Sequence, residues 1–257
     1  MIIGAQLYSL RDYAKTPEDF AETLKKVADI GYTSVQVSGT CAYDGDWLNE
    51  QLKKNGLTCD LTHYNLDEMI ADTDAVVEKH KKFNCKYIGV GAMPHIFEPG
   101  KNCKALWEDF SEKFLPVAHK MKEKGAYLMY HNHHHEFENF DGENAWDYLK
   151  STFAPDEMGF TLDTHWVLAG GHDPITELKA LKGRTPCVHF KDLTYLLNGE
   201  RRFAPVGYGV MDFSKIIVTC MDLGVEYAFV EQDNCYGEDP FECMKKSYDY
   251  LKSMGLR

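Results

Sequence analysis

Residues 103–131, CKALWEDFSEKFLPVAHKMKEKGAYLMYH, contain the unit from which the fold of this chain can be predicted. The spacing of apolar residues predicts a helix over 103–124, and Gly125 suits the left-handed position that commonly ends a helix. The apolar run 126–131 then predicts a strand. A helix that passes directly into a strand is typical of α/β folds, so the fold depends on how often this unit recurs.

The same alternation extends over the whole chain. Several predicted helices begin with a capping oxygen followed by proline, at Thr16-Pro17, Asp173-Pro174 and Asp239-Pro240. Several end at a glycine, namely Gly31, Gly56, Gly125, Gly224 and Gly255. Strands are predicted at 2–7, 33–38, 57–61, 86–91, 126–131, 157–162, 186–190 and 226–231. Helices are predicted near 17–30, 46–55, 67–83, 103–124, 144–152, 174–181, 212–222 and 239–254.

Eight strands that alternate with eight helices in 257 residues predict an α/β fold, a parallel (β/α)8 barrel. A doubly wound open sheet is the alternative. It would rarely need eight units without a nucleotide motif, and neither G-x-G-x-x-G after the first strand nor G-x-x-x-x-G-K-[ST] occurs. We find no linker or low-complexity segment, so residues 1–257 are expected to form one barrel domain.

The formal net charge of −12 argues against a nucleic acid or an anionic membrane surface as a partner. The eight cysteines form no C-x-x-C pair, which indicates free thiols in a reducing compartment. No signal peptide is visible, and no apolar stretch approaches the ~20 residues of a membrane span. We therefore expect a cytoplasmic protein, with a homo-oligomer as one open possibility.

The site of such a barrel lies at the C-terminal ends of its strands, and polar residues are concentrated there in this sequence. Asp163, His189 and Glu231 end three successive predicted strands, and Glu136 follows the fifth. One histidine and three carboxylates suit one divalent cation, with Mn²⁺, Mg²⁺, Co²⁺ and Zn²⁺ as the candidates. Other residues near strand ends are Gln6, Tyr8, Gln36, His63, His131, His133, His165, Trp166 and Lys191.

The stretch HNHHHE at 131–136 has two interpretations. His134 and His135 could equally belong to a solvated loop. His131 and His133 continue the alternation of the strand and therefore share one face.

Six stretches resemble the sugar phosphate isomerase/epimerase family of xylose-isomerase-like TIM barrels, whose relatives include inosose dehydratase and ketose 3-epimerases. They are GAQLYSLRD (4–12), YHNHHHEFE (130–138), LDTHWVLAGGHDP (162–174), VHFKD (188–192), FAPVGYGVMDF (203–213) and YAFVEQD (227–233). The resemblance covers almost the whole chain and indicates the superfamily, but it does not indicate one substrate.

The resemblance implies metal ligands at Glu136, Asp163, His189 and Glu231, with Mn²⁺ as the preferred ion. The first position is ambiguous, because the epimerases carry a glutamate on strand 5 itself, where this chain has His131. Either His131 takes that place or Glu136 reaches in from the loop, and Glu136 is preferred. The chain also has Tyr208 where relatives often have a glutamate.

The predicted activity is a metal-dependent isomerisation or epimerisation of an unphosphorylated sugar or keto-sugar through an enediolate. His133 is the candidate base, with Glu136 and Glu231 as competitors, and Lys191 could bind a substrate oxygen. The substrate-binding candidates are Gln6, Tyr8, Gln36, His63, His131, His165, Trp166 and Arg202.

Three alternatives remain. The first is a lyase of the same superfamily, either an inosose-type dehydratase or an eliminase for 3-keto-glycosides. The second is a metal-dependent nuclease for abasic sites, which the acidity of the chain disfavours. The third is a binding subunit that has lost turnover.

Overall fold

The computed structural model describes all 257 residues, Met1–Arg257. Eight parallel strands form a closed barrel, which confirms the predicted fold. The barrel strands are β1 (Ile2–Gln6), β2 (Ser34–Val37), β3 (Thr58–His63), β4 (Tyr87–Val90), β5 (Tyr127–His131), β6 (Met158–Asp163), β7 (Cys187–Phe190) and β10 (Tyr227–Val230). Their order around the barrel is β1-β10-β7-β6-β5-β4-β3-β2, so each strand pairs with its neighbours in the chain.

Helices surround the barrel, and 3-10 turns follow β1 (Leu7–Tyr13) and β5 (His135–Phe137). The α-helices are α1 (Pro17–Ile30), α2 (Gly45–Asn55), α3 (Leu66–Ala71), α4 (Thr73–Lys81), α5 (Lys104–Glu123), α6 (Ala145–Thr152), α7 (Thr164–Ala169), α8 (Pro174–Ala180), α9 (Phe213–Asp222) and α10 (Pro240–Ser253).

The predicted helix ends are confirmed where the sequence carried capping chemistry. The side chains of Thr16, Asp173 and Asp239 accept hydrogen bonds from backbone N–H groups at the starts of α1, α8 and α10. Each of the five glycines predicted to end a helix has a positive φ. These ends follow from local chemistry, which is why the sequence was sufficient to find them.

Three local features differ from the sequence predictions. The helix predicted at 67–83 is divided into α3 and α4 at Asp72, whose carboxylate accepts from Ala75 N–H and caps α4. The short α7 begins directly after β6, where no helix was predicted. The segment after β7 contains an antiparallel hairpin of β8 (Asp192–Tyr195) and β9 (Arg201–Ala204), where the sequence predicts no strand.

The strand register brings the polar residues of the barrel to one level. Asp163 pairs with His189, and His131 pairs with Thr161, two residues before Asp163. Phe229 pairs with His189, and Glu231 follows two residues later. Because side chains alternate along a strand, His131, Asp163, His189 and Glu231 all point to the same side of the sheet.

The apolar residues form two cores. The larger core fills the space between the strands and the helices. The smaller core lies within the barrel and consists of Leu61, Tyr87, Met129, Cys187 and Phe229. On β5, β7 and β10 one inner-core residue and one polar-level residue are separated by a residue that faces the helices, as in Cys187–Val188–His189. No helix of the protein combines the length and the apolar character that crossing a membrane requires.

Candidate metal and substrate site

Four buried side chains converge at the C-terminal end of the barrel. Each of His131, Asp163, His189 and Glu231 offers one ligand atom, and these atoms all lie within 4.8 Å of one another. His189 Nδ1 is 3.0 Å from Glu231 Oε2 and 3.8 Å from Asp163 Oδ2. His131 Nε2 is 3.4 Å from the same Asp163 oxygen. We call these four residues the polar cluster.

The outer nitrogens of both histidines are held by oxygen acceptors. His131 Nδ1–H donates to the Gly91 carbonyl at 2.9 Å, and His189 Nε2–H donates to Gln36 Oε1 at 2.6 Å. A carbonyl oxygen can only accept, so these contacts place the proton on the outer nitrogen of each neutral ring. The inner nitrogens, His131 Nε2 and His189 Nδ1, then carry lone pairs directed at the carboxylates.

This donor set fits a divalent cation. His189 Nδ1 has no hydrogen-bond partner although it is fully buried and lies close to Glu231. A lone pair that faces a carboxylate oxygen is unfavourable unless a cation or a proton lies between them. Two imidazoles and two carboxylates, with the imidazoles oriented by outer hydrogen bonds, form a typical binding site for such an ion.

Lys191 provides the only ammonium group at the cluster. Its Nζ is 2.7 Å from Asp233 Oδ2, 3.2 Å from Glu231 Oε2 and 3.7 Å from Asp163 Oδ2. Three carboxylates with one ammonium leave two negative charges when the histidines are neutral, and a divalent ion would balance these charges.

The charges at the cluster also shift its pKa values. Burial works against the Lys191 ammonium, but Glu231, Asp163 and Asp233 outweigh it and raise the pKa of Lys191. Burial likewise opposes the carboxylate charges, yet the neighbouring Lys191 lowers the pKa of both Asp163 and Glu231. At neutral pH the site therefore holds charged carboxylates and a charged lysine.

The Glu136 carboxylate, which the resemblance implies as a ligand, lies outside the polar cluster. Glu136 is fully buried, and its two oxygens accept hydrogen bonds from Tyr130 Oη–H at 2.8 Å and from His133 N–H at 2.8 Å. The 3-10 turn after β5 directs it to these partners. His131, on the strand itself, offers the fourth atom that could hold a metal ion.

A cavity of about 500 Å³ opens beside the cluster. Of the candidate residues, Tyr8, His63, His131, His133, Lys191 and Glu231 line it. Burial, followed by the effect of neighbouring charged groups, lowers the pKa of His63 and of His133 well below the usual range for histidine. Both rings are therefore neutral at physiological pH.

Four other candidates support the site without lining the cavity. Gln6 caps the 3-10 turn after β1 by accepting from Tyr8 N–H, and Gln36 orients His189. His165 and Trp166 pack with Phe203 of the hairpin, and the Lys191 ammonium lies 5.0 Å from the centre of the Trp166 ring. These residues cover the β6–β7 side of the cluster.

Arg202 also lies outside the cavity. Its guanidinium donates to Glu200 at 2.8 Å and lies over the Tyr236 ring. The hairpin itself is anchored by Asp192. The Asp192 carboxylate accepts from the backbone N–H groups of Leu193, Gly207, Gly209 and Met211.

Sequence reasoning missed Arg11, Phe97 and Asp233, all of which line the cavity. Arg11 donates to the carbonyls of Tyr8 and Asp233. Asp233 lies two residues beyond Glu231, and that spacing could have indicated it. No sequence signal indicated Phe97, which lies in the long connection between β4 and α5.

Known proteins share this architecture. A crystal structure of a sugar phosphate isomerase/epimerase from Parabacteroides distasonis ATCC 8503 superposes with a TM-score of 0.81 at 20% identity, covering 98% of this chain and 93% of that chain. A xylose isomerase-like TIM barrel protein from Mycobacterium smegmatis in complex with magnesium gives a TM-score of 0.75 at 15% identity, covering 98% and 96%.

In sequence, the chain is 24% identical to the inosose dehydratase of Geobacillus kaustophilus (strain HTA426) over 268 aligned positions, which cover 90% of this chain and 85% of the relative. The profile of the xylose isomerase-like TIM barrel family matches residues 24–254. A match over nearly the whole barrel confirms the resemblance predicted from the six sequence stretches. The chain belongs to the xylose isomerase-like TIM barrel family.

Proposed function

We propose that the protein is a divalent-metal-dependent isomerase or epimerase that acts on an unphosphorylated sugar or keto-sugar. The single observation that carries this proposal is the buried cluster of four ligand atoms beside a cavity of about 500 Å³. His131 Nε2, Asp163 Oδ2, His189 Nδ1 and Glu231 Oε2 would hold the ion. When bound, it would polarise a substrate carbonyl and stabilise the negative charge that develops after proton removal.

His133 is the proposed proton acceptor. It lines the cavity, and its Nδ1 has no hydrogen-bond partner. Because burial lowers its pKa, the ring is neutral and able to take a proton from a substrate carbon at physiological pH. Glu136 is the weaker candidate, because both of its oxygens already accept hydrogen bonds.

Lys191 is the proposed electrostatic partner of the substrate oxygens. Its raised pKa keeps it charged, and its Nζ lies within 4 Å of Asp163, Glu231 and Asp233. A lysine with a raised pKa seldom gives up its proton, but it remains able to donate hydrogen bonds. The environment of His133 thus keeps its ring neutral, and the environment of Lys191 keeps its ammonium charged. An acid–base site requires such a difference.

The cationic residues of the cavity support an unphosphorylated substrate. Arg11 and Lys191 are the only cationic side chains that line it. Arg11 donates to two backbone carbonyls, and Lys191 pairs with carboxylates. The positive charge of Lys191 is thus balanced by carboxylates, which does not favour a phosphate dianion, and the Arg201–Arg202 pair lies outside the cavity.

A lyase is the second candidate, and one observation favours it. The epimerases carry a glutamate on strand 5, whereas this chain places His131 there, so the cluster lacks a carboxylate that could double as a base at this position. The sequence similarity to an inosose dehydratase points in the same direction. Elimination begins with the same proton removal but then expels a neighbouring oxygen.

The test measures metal binding and product mass together. Wild-type protein and Asp163→Asn are incubated with Mn²⁺, dialysed and analysed for bound metal, and each is then assayed with a panel of ketoses, aldoses and inososes. We expect one ion per wild-type chain, a large loss of binding in the variant, and Mn²⁺-dependent products of unchanged mass. Loss of water or of an aglycone would establish the lyase instead, and an absence of bound metal would refute both.

A further inference from the structure

The cavity extends far to one side of the polar cluster. Ten of its fifteen lining residues follow β1, β2, β3 or β4, whereas the cluster lies on β5, β6, β7 and β10. The opposite side, above β6 and β7, is covered by Trp166 and Phe203. A sugar held at the cluster can therefore extend only across the β1–β4 half of the barrel mouth.

The volume of the cavity exceeds what one sugar ring needs. Cavities of roughly 300–1,000 Å³ hold ligands of drug size, which are larger than a monosaccharide. Here the cavity measures about 500 Å³. A single ring bound beside His131 and Glu231 would leave the β1–β4 part without a ligand group.

Small residues create this outer space. A Cβ atom on Gly39 would lie 2.7 Å from the Tyr8 ring, and φ at Gly39 is +68°. A Cβ atom on Gly91 would lie 3.1 Å from His63 Nδ1. Both glycines line the cavity, and a larger residue at either position would displace the neighbouring Tyr8 or His63 ring.

Two exposed aromatic rings border the outer space. Phe97 is 51% exposed and Tyr8 is 39% exposed, and both rings line the cavity. The Phe97 ring is positioned by edge contacts with His133 at 4.8 Å and His135 at 5.1 Å. The Tyr8 ring carries the Arg11 guanidinium at 4.4 Å. Each ring is therefore held in place while part of its surface remains open.

We propose that the outer part of the cavity is a second binding subsite, bordered by Phe97 and Tyr8, for a ring attached to the reacting sugar. The substrate class is then a keto-glycoside with two rings, in which the reacting sugar keeps a ketone and the second ring is an aromatic group or another pyranose. Aromatic side chains bind both kinds of ring through their apolar faces, and binding such a ring would cover the two exposed aromatic side chains. This inference rests on the proposed function, because it assumes that the first ring binds at the polar cluster.

The test compares matched one-ring and two-ring ligands by isothermal titration of the Mn²⁺-treated protein. The probes are methyl β-D-glucopyranoside, phenyl β-D-glucopyranoside and cellobiose, with the corresponding methyl and phenyl galactosides and lactose. We expect at least one two-ring ligand to bind about fivefold or more tightly than its methyl counterpart. A gain for the phenyl glycoside identifies an aromatic second ring, and a gain for the disaccharide identifies a sugar.

The variants assign this preference to the subsite. Phe97→Ala is expected to reduce the ratio of two-ring to one-ring affinity to about one. Tyr8→Ala should lower this ratio, whereas Tyr8→Phe should retain it. Tyr195→Ala, which removes a 56% exposed ring of the hairpin outside the cavity, is the matched control and should not change it. Equal binding of all probes, binding of none, or a preference that persists in Phe97→Ala and Tyr8→Ala would overturn the subsite.

The outcome is separable from the proposed reaction, because the titrations do not require turnover. A ring preference that depends on Phe97, without any Mn²⁺-dependent conversion, would count against the reaction alone. Mn²⁺-dependent conversion without a ring preference would count against the subsite alone.

Discussion

At the scale of single residues, the site depends on the groups behind the ligands. Gln36 Oε1 accepts from His189 Nε2–H at 2.6 Å, and this bond directs the Nδ1 lone pair into the cluster. The Gly91 carbonyl does the same for His131. Such outer partners fix which nitrogen is available, so removing one should weaken metal binding even though every ligand remains.

Gln36→Leu is expected to lower Mn²⁺ affinity by roughly 10–100-fold, because His189 loses its oriented hydrogen bond. Titration calorimetry of the purified variant measures the change. Gln36→Glu is the matched control, since it keeps an acceptor oxygen and should bind Mn²⁺ more tightly than the leucine variant. Wild-type affinity in Gln36→Leu would show that the orientation of His189 does not depend on this residue.

For Glu136 we expect the opposite result, a loss of folding stability without a loss of metal affinity. Its oxygens accept from Tyr130 and from the His133 backbone, and burial raises its pKa. Glu136→Gln turns an NH2 group toward one of these donors. We expect a loss of about 1–3 kcal/mol in the free energy of unfolding, with Mn²⁺ affinity within about threefold of wild type. If a folded Glu136→Gln protein bound no Mn²⁺, the carboxylate would have to be a ligand after all.

At the scale of elements, His80 joins α4 to β3. Its Nδ1–H donates to Val76 O at 2.7 Å, and its Nε2 accepts from Thr62 Oγ1–H at 2.9 Å. The bond that Nε2 accepts requires the neutral ring, whereas the Nδ1–H bond persists when the ring is protonated. Burial lowers the pKa of His80 to about 4. The unfolded chain titrates this group near pH 6.5.

The sign of the pH effect follows from these two values. Above pH 6.5 the ring is neutral in both states, so His80 adds no pH dependence. Between pH 6.5 and about 4 only the unfolded chain takes up the proton, so the free energy of unfolding falls by up to about 3 kcal/mol. In urea unfolding at several pH values, the free energy of unfolding should fall more steeply with decreasing pH in wild type than in His80→Gln. Parallel curves for the two proteins would contradict this account.

At the scale of the whole molecule, the polar cluster joins four strands that are distant in sequence, from His131 to Glu231. Metal that binds only the folded barrel stabilises it by mass action. At a concentration about 100 times the dissociation constant the gain is about 2.7 kcal/mol. For a chain of this size that corresponds to a rise of roughly 5–10 °C in Tm.

We therefore expect saturating Mn²⁺ to raise the Tm of wild-type protein, and EDTA to reverse the rise, in differential scanning calorimetry. Asp163→Asn should show little change with either treatment. An equal Mn²⁺ effect on both proteins would mean that the stabilising ion binds somewhere other than the cluster.

The sequence by itself determined the barrel, because each βα unit carries local signals that do not depend on distant residues. Apolar periodicity, the capping residues Thr16, Asp173 and Asp239, and the terminal glycines act within a few residues, and the structure confirms them. The order of strands then placed Asp163, His189 and Glu231 at one end. The division at Asp72, the helix α7, the hairpin and the two 3-10 turns were missed, because short elements carry weak periodicity.

Only the tertiary structure decided which side chains meet. His131 and Glu136 are five residues apart and chemically equally able to bind a cation. Strand alternation and register direct His131 into the cluster, whereas the 3-10 turn directs Glu136 to Tyr130 and His133. Arg11 and Phe97 reach the cavity through connections whose paths no local pattern specifies. Distances between side chains from different strands depend on barrel closure, and closure is a property of the folded chain as a whole.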